Sequence, residues 1–134
     1  MDLKNIKTTE EASRLDLRHP ATGEVLTYGP KNEKTMHLML LGRDTETYRK
    51  HQRKLIDKRL KEQQKFRQAK MTAAQLEDEA VDQLAVVTVG GMVFMDGKEI
   101  AIDQKNAADL YREYAWIKEQ ADGWVEDRSN FLES

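Results

Sequence analysis

With 134 residues, 39% of them hydrophobic and 34% charged, and a mean hydropathy of -0.79, the chain is long enough to bury the core of one domain and more polar than an average globular protein. It has no cysteine, which excludes disulfides, zinc-thiolate sites and thiol nucleophiles and points to a reducing cytosol. The formal net charge of -2 conceals a basic middle (residues 43–71, eleven basic and four acidic) and an acidic last part (72–134, five basic and fourteen acidic). That asymmetry is read either as intramolecular complementarity between solvated faces or as a head-to-tail contact between copies.

Residues 1–12 show little periodicity and are expected to form a loose arm without a signal-peptide core. No run elsewhere approaches the roughly 18 apolar residues of a membrane span, so a soluble protein with no membrane partner is expected. From Ser13, Leu15 and Leu17 alternate with charged residues, His19-Pro20-Ala21-Thr22-Gly23 supplies turn chemistry, and Val25, Leu26 and Tyr28 resume the apolar pattern. This predicts a β-hairpin within a region spanning 13–41, in which Gly23 takes the positive φ of the turn. Gly29-Pro30-Lys31-Asn32 is a second breaker, and the apolar run 35–41 reads as a third strand.

A helical region is expected over 44–132. Asp44 or Thr45 caps a long charged helix that runs to about Lys70, roughly 40 Å at 1.5 Å per residue. Its apolar stripe is thin: Tyr48, Leu55 and Phe66 fall nearly on one line, with Ile56 and Leu60 to one side. Thr72 caps a second amphipathic helix carrying Ala73, Leu76, Ala80, Leu84 and Val87 on one face. The β-branched run 86–89 is compatible with either helix or strand, and Gly90-Gly91 provides a stop, one of them at C′. Asp96-Gly97 marks a short hairpin or loop between 92–95 and 99–102, and Asp103 caps the next helix. The stretch 106–132 holds five of the nine aromatic residues and places Leu110, Tyr114, Ile117, Ala121, Trp124, Val125, Phe131 and Leu132 along one stripe, with a bend near 114–116 and an end near Phe131. The fold class predicted is mainly α with a small N-terminal antiparallel β-hairpin or three-stranded meander (α+β), in one domain spanning 1–134.

Nothing in the chain has the pattern of a reaction centre. His19, His37 and His51 lie at no metal-ligand spacing from one another, and in an alternating strand His37 points away from Met36 and Leu38. The abundant carboxylates are the usual content of solvated helix faces, and Gly90-Gly91 lacks the context of a phosphate loop. No catalytic, metal or cofactor-binding residue is predicted, and no cofactor. The basic helix 43–70 raises a nucleic-acid-binding module as the alternative function, but Asp57 and Glu62 interrupt it, stacking aromatics are sparse and the sequence pI is near 6.0.

The order Asn106-Ala107-Ala108, Leu110-Tyr111, Trp116-Ile117, Glu119-Gln120 and Glu126-Asp127-Arg128-Ser129-Asn130-Phe131-Leu132 resembles the carboxyl end of the tail assembly chaperones of long-tailed (siphovirus-type) bacteriophages. The hairpin at 15–28, Leu41-Gly42-Arg43-Asp44 before the long helix and Val87-Thr88-Val89-Gly90 after the next are similar as well. Where the family pattern has Gly-Trp after the valine segment, this chain has Gly90-Gly91-Met92.

The resemblance implies a protein that catalyses no reaction. Such proteins act in the host cell cytoplasm, bind the tape measure protein, help tail tube protein assemble around it, and are absent from the mature virion. Side chains available to such a client are sought at Tyr48, Leu55 and Phe66 on the long helix and at Trp124, Arg128, Phe131 and Leu132 at the carboxyl end. The last turn, Arg128 to Leu132, is expected to be the more exposed part.

Overall fold

The computed structural model describes residues 2–65 and 71–133. Among these residues are six strands, β1 (Ser13–Asp16), β2 (Thr27–Tyr28), β3 (Lys34–Thr35), β4 (His37–Leu40), β5 (Thr88–Met95) and β6 (Lys98–Ala101), and four helices, α1 (Glu46–Lys65) and α2 (Ala73–Val86) between β4 and β5, and α3 (Gln104–Glu113) and α4 (Ala115–Glu126) after β6. Short 3-10 turns lie at Leu3–Asn5 and Arg128–Phe131.

The sheet at the centre is antiparallel, with strand order β1-β4-β5-β6; β2 and β3 form a separate two-stranded ribbon. Leu38 and Leu40 of β4 are fully buried and lie in the same core as Leu15 and Val93 of the flanking strands. That alternation follows from the period-2 geometry of strands. On the core side lie Val81, Leu84 and Ala85 of α2, Ala107, Leu110 and Tyr111 of α3, and Ile117, Ala121 and Val125 of α4. Tyr111 is the largest fully buried side chain, and its hydroxyl lies 2.7 Å from Thr88 Oγ1, which itself donates to Leu84 O at 2.8 Å. Among the described residues no buried side-chain nitrogen or oxygen lacks a hydrogen-bond partner.

Several expectations are revised. The predicted 15–28 hairpin closes only at its tip, through the Arg18–Val25 bridge and a Leu26 N–H donating to Leu17 O at 2.8 Å. β1 instead pairs with β4, Leu15 opposite Leu38. Gly23 does take the positive φ of the turn, at 75°. Within region 44–132 the hairpin expected at Asp96-Gly97 does form, those residues taking φ 54° and 77°, but its strands β5 and β6 join the central sheet, so the region is not wholly helical. The fold is α+β, as expected, but it is built around a four-stranded sheet rather than an N-terminal hairpin or three-stranded meander.

Gly90-Gly91 is no helix stop: α2 ends at Val86 where the β-branched run begins, and both glycines lie inside β5. Gly91 has φ 136°, and a Cβ there would meet His37 O at 2.4 Å and Leu38 Cα at 2.9 Å, so the close approach of β4 requires glycine. The amino-terminal arm is tied down as well. Thr9 N–H donates to Phe131 O at 2.7 Å, Glu133 N–H to Lys7 O at 2.8 Å, and Glu10 Oε2 accepts the Glu46 N–H at the start of α1 at 3.1 Å. Finally, the last helix ends at Glu126 and passes into the 3-10 turn, with Asp127 as its cap.

Other local expectations match the structure. Thr72 and Gln75 form a reciprocal capping box on α2, and Asp103 accepts the Asn106 N–H at 2.8 Å on α3. Thr45, not Asp44, caps α1, its Oγ1 accepting the Tyr48 N–H at 3.3 Å.

Candidate partner-binding groove

Among its described side chains α1 has none fully buried, and it packs on the outer side of α2, whose own inner side meets α3 and the core. Two bridges hold the pair together. The Arg59 guanidinium donates through Nε, at 3.0 Å, and Nη2 to Glu79 Oε2, a carboxylate only 12% exposed. Closer to the core, His51 Nδ1 lies 2.7 Å from Gln83 Oε1, and Gln83 Nε2 donates to Tyr48 O at 3.0 Å. Because an amide oxygen only accepts, this contact places the imidazole proton on Nδ1.

Between the helices runs an open groove of about 340 Å³. From α1 it is lined by Tyr48, Gln52, Leu55, Ile56 and Arg59, from α2 by Leu76, Glu79, Ala80, Gln83 and Leu84, and its inner end is closed by Asp122, Val125 and Glu126 of α4. Tyr48 to Glu126 is the basal end, where burial and the Glu126 carboxylate raise the Tyr48 pKa and keep its hydroxyl protonated. The α1 residues recur at intervals of three and four over eleven positions, so the groove extends for roughly 16 Å, three helical turns. Its apolar walls remain wet: Ile56 is 48% exposed and Leu76 49%, and Leu60, one turn beyond Ile56, is also exposed.

This arrangement settles where each predicted residue stands. Tyr48 and Leu55 are brought together in the groove, each half-buried. Phe66 lies outside the described residues. Trp124 packs on the core and donates from Nε1 to Ser13 Oγ at 3.2 Å. Phe131 is buried, its ring so close to Gly42 that a Cβ there would sit 2.8 Å from Cγ. Arg128 grips Asp44 with two hydrogen bonds, Nε to Oδ2 at 2.7 Å and Nη2 to Oδ1 at 3.1 Å, and the Asp44 carboxyl is held below its ordinary pKa chiefly by that bond. The last turn is thus mainly a clasp on the start of α1, and of its apolar side chains only Leu132 is exposed, at 51%. The expected exposure of Phe131 is corrected by the small residue opposite it.

Gln52, Ile56, Arg59, Leu76, Glu79 and Ala80 enter the groove without having been singled out as partner residues. The signal for them is the Leu76/Ala80 pair at i, i+4, which the sequence places on one face of α2 with Leu84. In fact α2 rotates only its second half, Val81 onward, against the sheet. The charge asymmetry of the sequence is met partly within the chain, by Arg59–Glu79 between the two helices and by Arg43–Glu126 at 2.8 Å between the start of α1 and α4. Among the described residues no group of three or more His, Asp or Glu side chains is placed to hold a metal ion, and no helix is long and apolar enough to cross a membrane. Comparison with protein-family models, with curated proteins and with solved structures finds no match.

Proposed function

We propose that the chain is a tail assembly chaperone of a long-tailed phage, acting in the host cell cytoplasm, and that the α1–α2 groove holds an amphipathic helix of the tape measure protein while tail tube protein assembles around it. The observation that supports this reading is the groove itself: apolar side chains at helical spacing, half-exposed, flanked by Arg59, Glu79, Asp122 and Glu126. Such a surface suits a helix laid into a groove, with apolar anchors on one face and charges at the rim. Half-exposed anchors also suit a transient client, because only the remaining area is gained on binding and is surrendered again when tube protein replaces the chaperone. Successive copies spaced along an extended client, head to tail, would bring the basic helix of one near the acidic carboxyl part of the next.

The test is co-purification of the chain with the tape measure and tube proteins of the same phage, with nuclease treatment of the lysate as control. The expected result is nuclease-resistant capture of the tape measure protein. Capture of nucleic acid through the basic helix, with no tape measure protein, overturns the proposal in favour of a nucleic-acid-binding module.

A further inference from the structure

The two ends of the α1–α2 groove offer opposite chemistry to a bound backbone. At the inner end stand the Asp122 and Glu126 carboxylates, with side chains 45% and 55% exposed. Each is tied through one oxygen: Lys118 Nζ donates to Asp122 Oδ2 at 2.7 Å, and Arg43 Nη1 to Glu126 Oε2 at 2.8 Å. Asp122 Oδ1 and Glu126 Oε1 are left as acceptors. Both residues lie near the C-terminal end of α4, where the helix dipole adds negative potential. Tyr48, at the same end, responds to this field: after burial, Glu126 is the largest influence raising its pKa, Arg43 opposes it and Asp122 adds to it.

At the outer end the accessible charge has the other sign. Arg59, its side chain 40% exposed, gives Nε and Nη2 to Glu79 Oε2 and keeps Nη1 as a donor, whereas the Glu79 side chain is only 12% exposed.

A helix ends in the same two chemistries. Its first four N–H groups and its last four C=O groups have no intrahelical partner, and its dipole is positive at the first end and negative at the second. The groove extends for roughly 16 Å, room for about eleven helical residues, and α4 closes its inner end. A helix laid along it cannot run on past Asp122 and Glu126, so one of its termini lies there, against carboxylate oxygens that accept and do not donate. An N-terminus brings N–H donors and positive potential to that end; a C-terminus would set carbonyl oxygens and negative potential against two carboxylates. One carboxylate at a helix terminus shifts an equilibrium by roughly two- to fivefold, and reversing the helix turns the gain into a loss. With each carboxylate already paired to Lys118 or Arg43, the low end of that range applies, and the two together favour one direction by about tenfold.

We propose that the helix held in the α1–α2 groove lies in one direction only, its N-terminus at Asp122 and Glu126 and its C-terminus at Arg59, parallel to α1 and antiparallel to α2. The partner segment is then one whose helix begins, after a turn, at the closed end of the groove, and not a stretch from the middle of a long uninterrupted helix. This inference rests on the groove holding an amphipathic helix and assigns the polarity of that helix.

The chain labelled with ¹³C in its leucine and valine methyl groups provides the test, because Val125 lines the inner end of the groove and Leu76 the outer end. The probe is a peptide of about eleven residues, N-acetylated and C-amidated, built of alanine and glutamine with leucine at helical spacing and carrying a nitroxide at one terminus or the other. The N-terminal nitroxide is expected to broaden the Val125 methyls severalfold more than those of Leu76, and the C-terminal nitroxide to do the reverse. Asp122→Asn combined with Glu126→Gln is expected to abolish or invert that difference, while the buried Leu38 and Leu40 methyls show the fold intact. Absence of a saturable response at Leu55, Leu76 and Val125 overturns the groove as a helix site, and this inference with it. Binding in which the N-terminal nitroxide broadens Leu76 as much as Val125, or more, leaves the groove standing and overturns the direction; an unchanged difference in the folded double variant overturns the part assigned to the two carboxylates.

Discussion

Replacing Ile56 and Leu76 together by glutamine tests the groove at the two positions where the structure gives a magnitude. Each side chain is already half covered, at 48% and 49% exposure. Full burial of an isoleucine or leucine contributes about 1.5–3 kcal/mol, so covering the remaining half contributes about 0.7–1.5 kcal/mol at each position. The pair then accounts for about 1.5–3 kcal/mol of client binding, a loss of roughly 10- to 150-fold in affinity. Glutamine keeps the helix propensity of these positions but gives up the halves already covered in the folded chain, so stability falls by up to about 1.5–3 kcal/mol and the affinities are compared where urea unfolding shows both proteins fully folded. The assay is fluorescence anisotropy with a labelled amphipathic segment of the tape measure protein, run beside urea unfolding. An affinity within threefold of the parent, in a variant that remains folded in the absence of urea, would refute the assignment of the client to this groove.

Four further substitutions test the fold that positions the groove. Gly91→Ala is expected to destabilise by about 2–6 kcal/mol through left-handed strain and a clash with the β4 backbone, whereas Gly90→Ala, whose Cβ meets only Met39 at 3.6 Å, stays within about 1 kcal/mol in the same urea titration. Tyr111→Phe leaves Thr88 still donating to Leu84 O and costs about 1 kcal/mol, measured by chemical denaturation. Asp44→Asn loses the Arg128 grip. Because the folded-state pKa of Asp44 lies below its unfolded value, the stabilisation is present above about pH 4 and disappears as pH falls through the folded value; thermal melts of parent and variant should therefore differ at pH 7 and converge in acid.

What the sequence makes legible here is short-range chemistry. Thr72 with Gln75, Asp103 with Asn106, the break at Tyr114 and the Asp96-Gly97 turn each depend on residues within a few positions of one another, and each is found where the pattern puts it. Strand partnership is not local. β1 reaches past the hairpin tip to β4 and β4 reaches nearly fifty residues on to β5, and neither alternation pattern says which neighbour it meets. Gly90-Gly91 was misread as a helix stop for the same reason, since its purpose is the approach of a strand from elsewhere. The amino-terminal arm was unreadable because its attachments at Lys7 and Thr9 are made by backbone atoms, which leave no mark on side-chain periodicity. The groove was half-visible: Tyr48 and Leu55 stood out, but the apolar face of α2 is divided between the sheet and α1, and periodicity alone cannot divide it.

That division separates stability from binding. The sheet, α3, α4 and the second half of α2 supply most of the buried side chains, whereas the described side chains of α1 contribute none and leave Ile56 and Leu60 open to solvent. Opening of the α1–α2 pair therefore exposes little additional apolar surface, and its free energy lies below that of global unfolding. A ligand that binds only the closed pair raises the opening free energy by its own binding term and leaves the core unaltered. Hydrogen exchange with and without the tape measure segment reads this directly: amides of α1 and of residues 73–80 should gain protection, by tenfold at a ligand concentration about nine times the dissociation constant, while those of β4 and β5 remain unchanged. Protection that rises uniformly through the sheet would mean that the client binds the globally folded state without engaging the helical pair, and would move the site away from the groove.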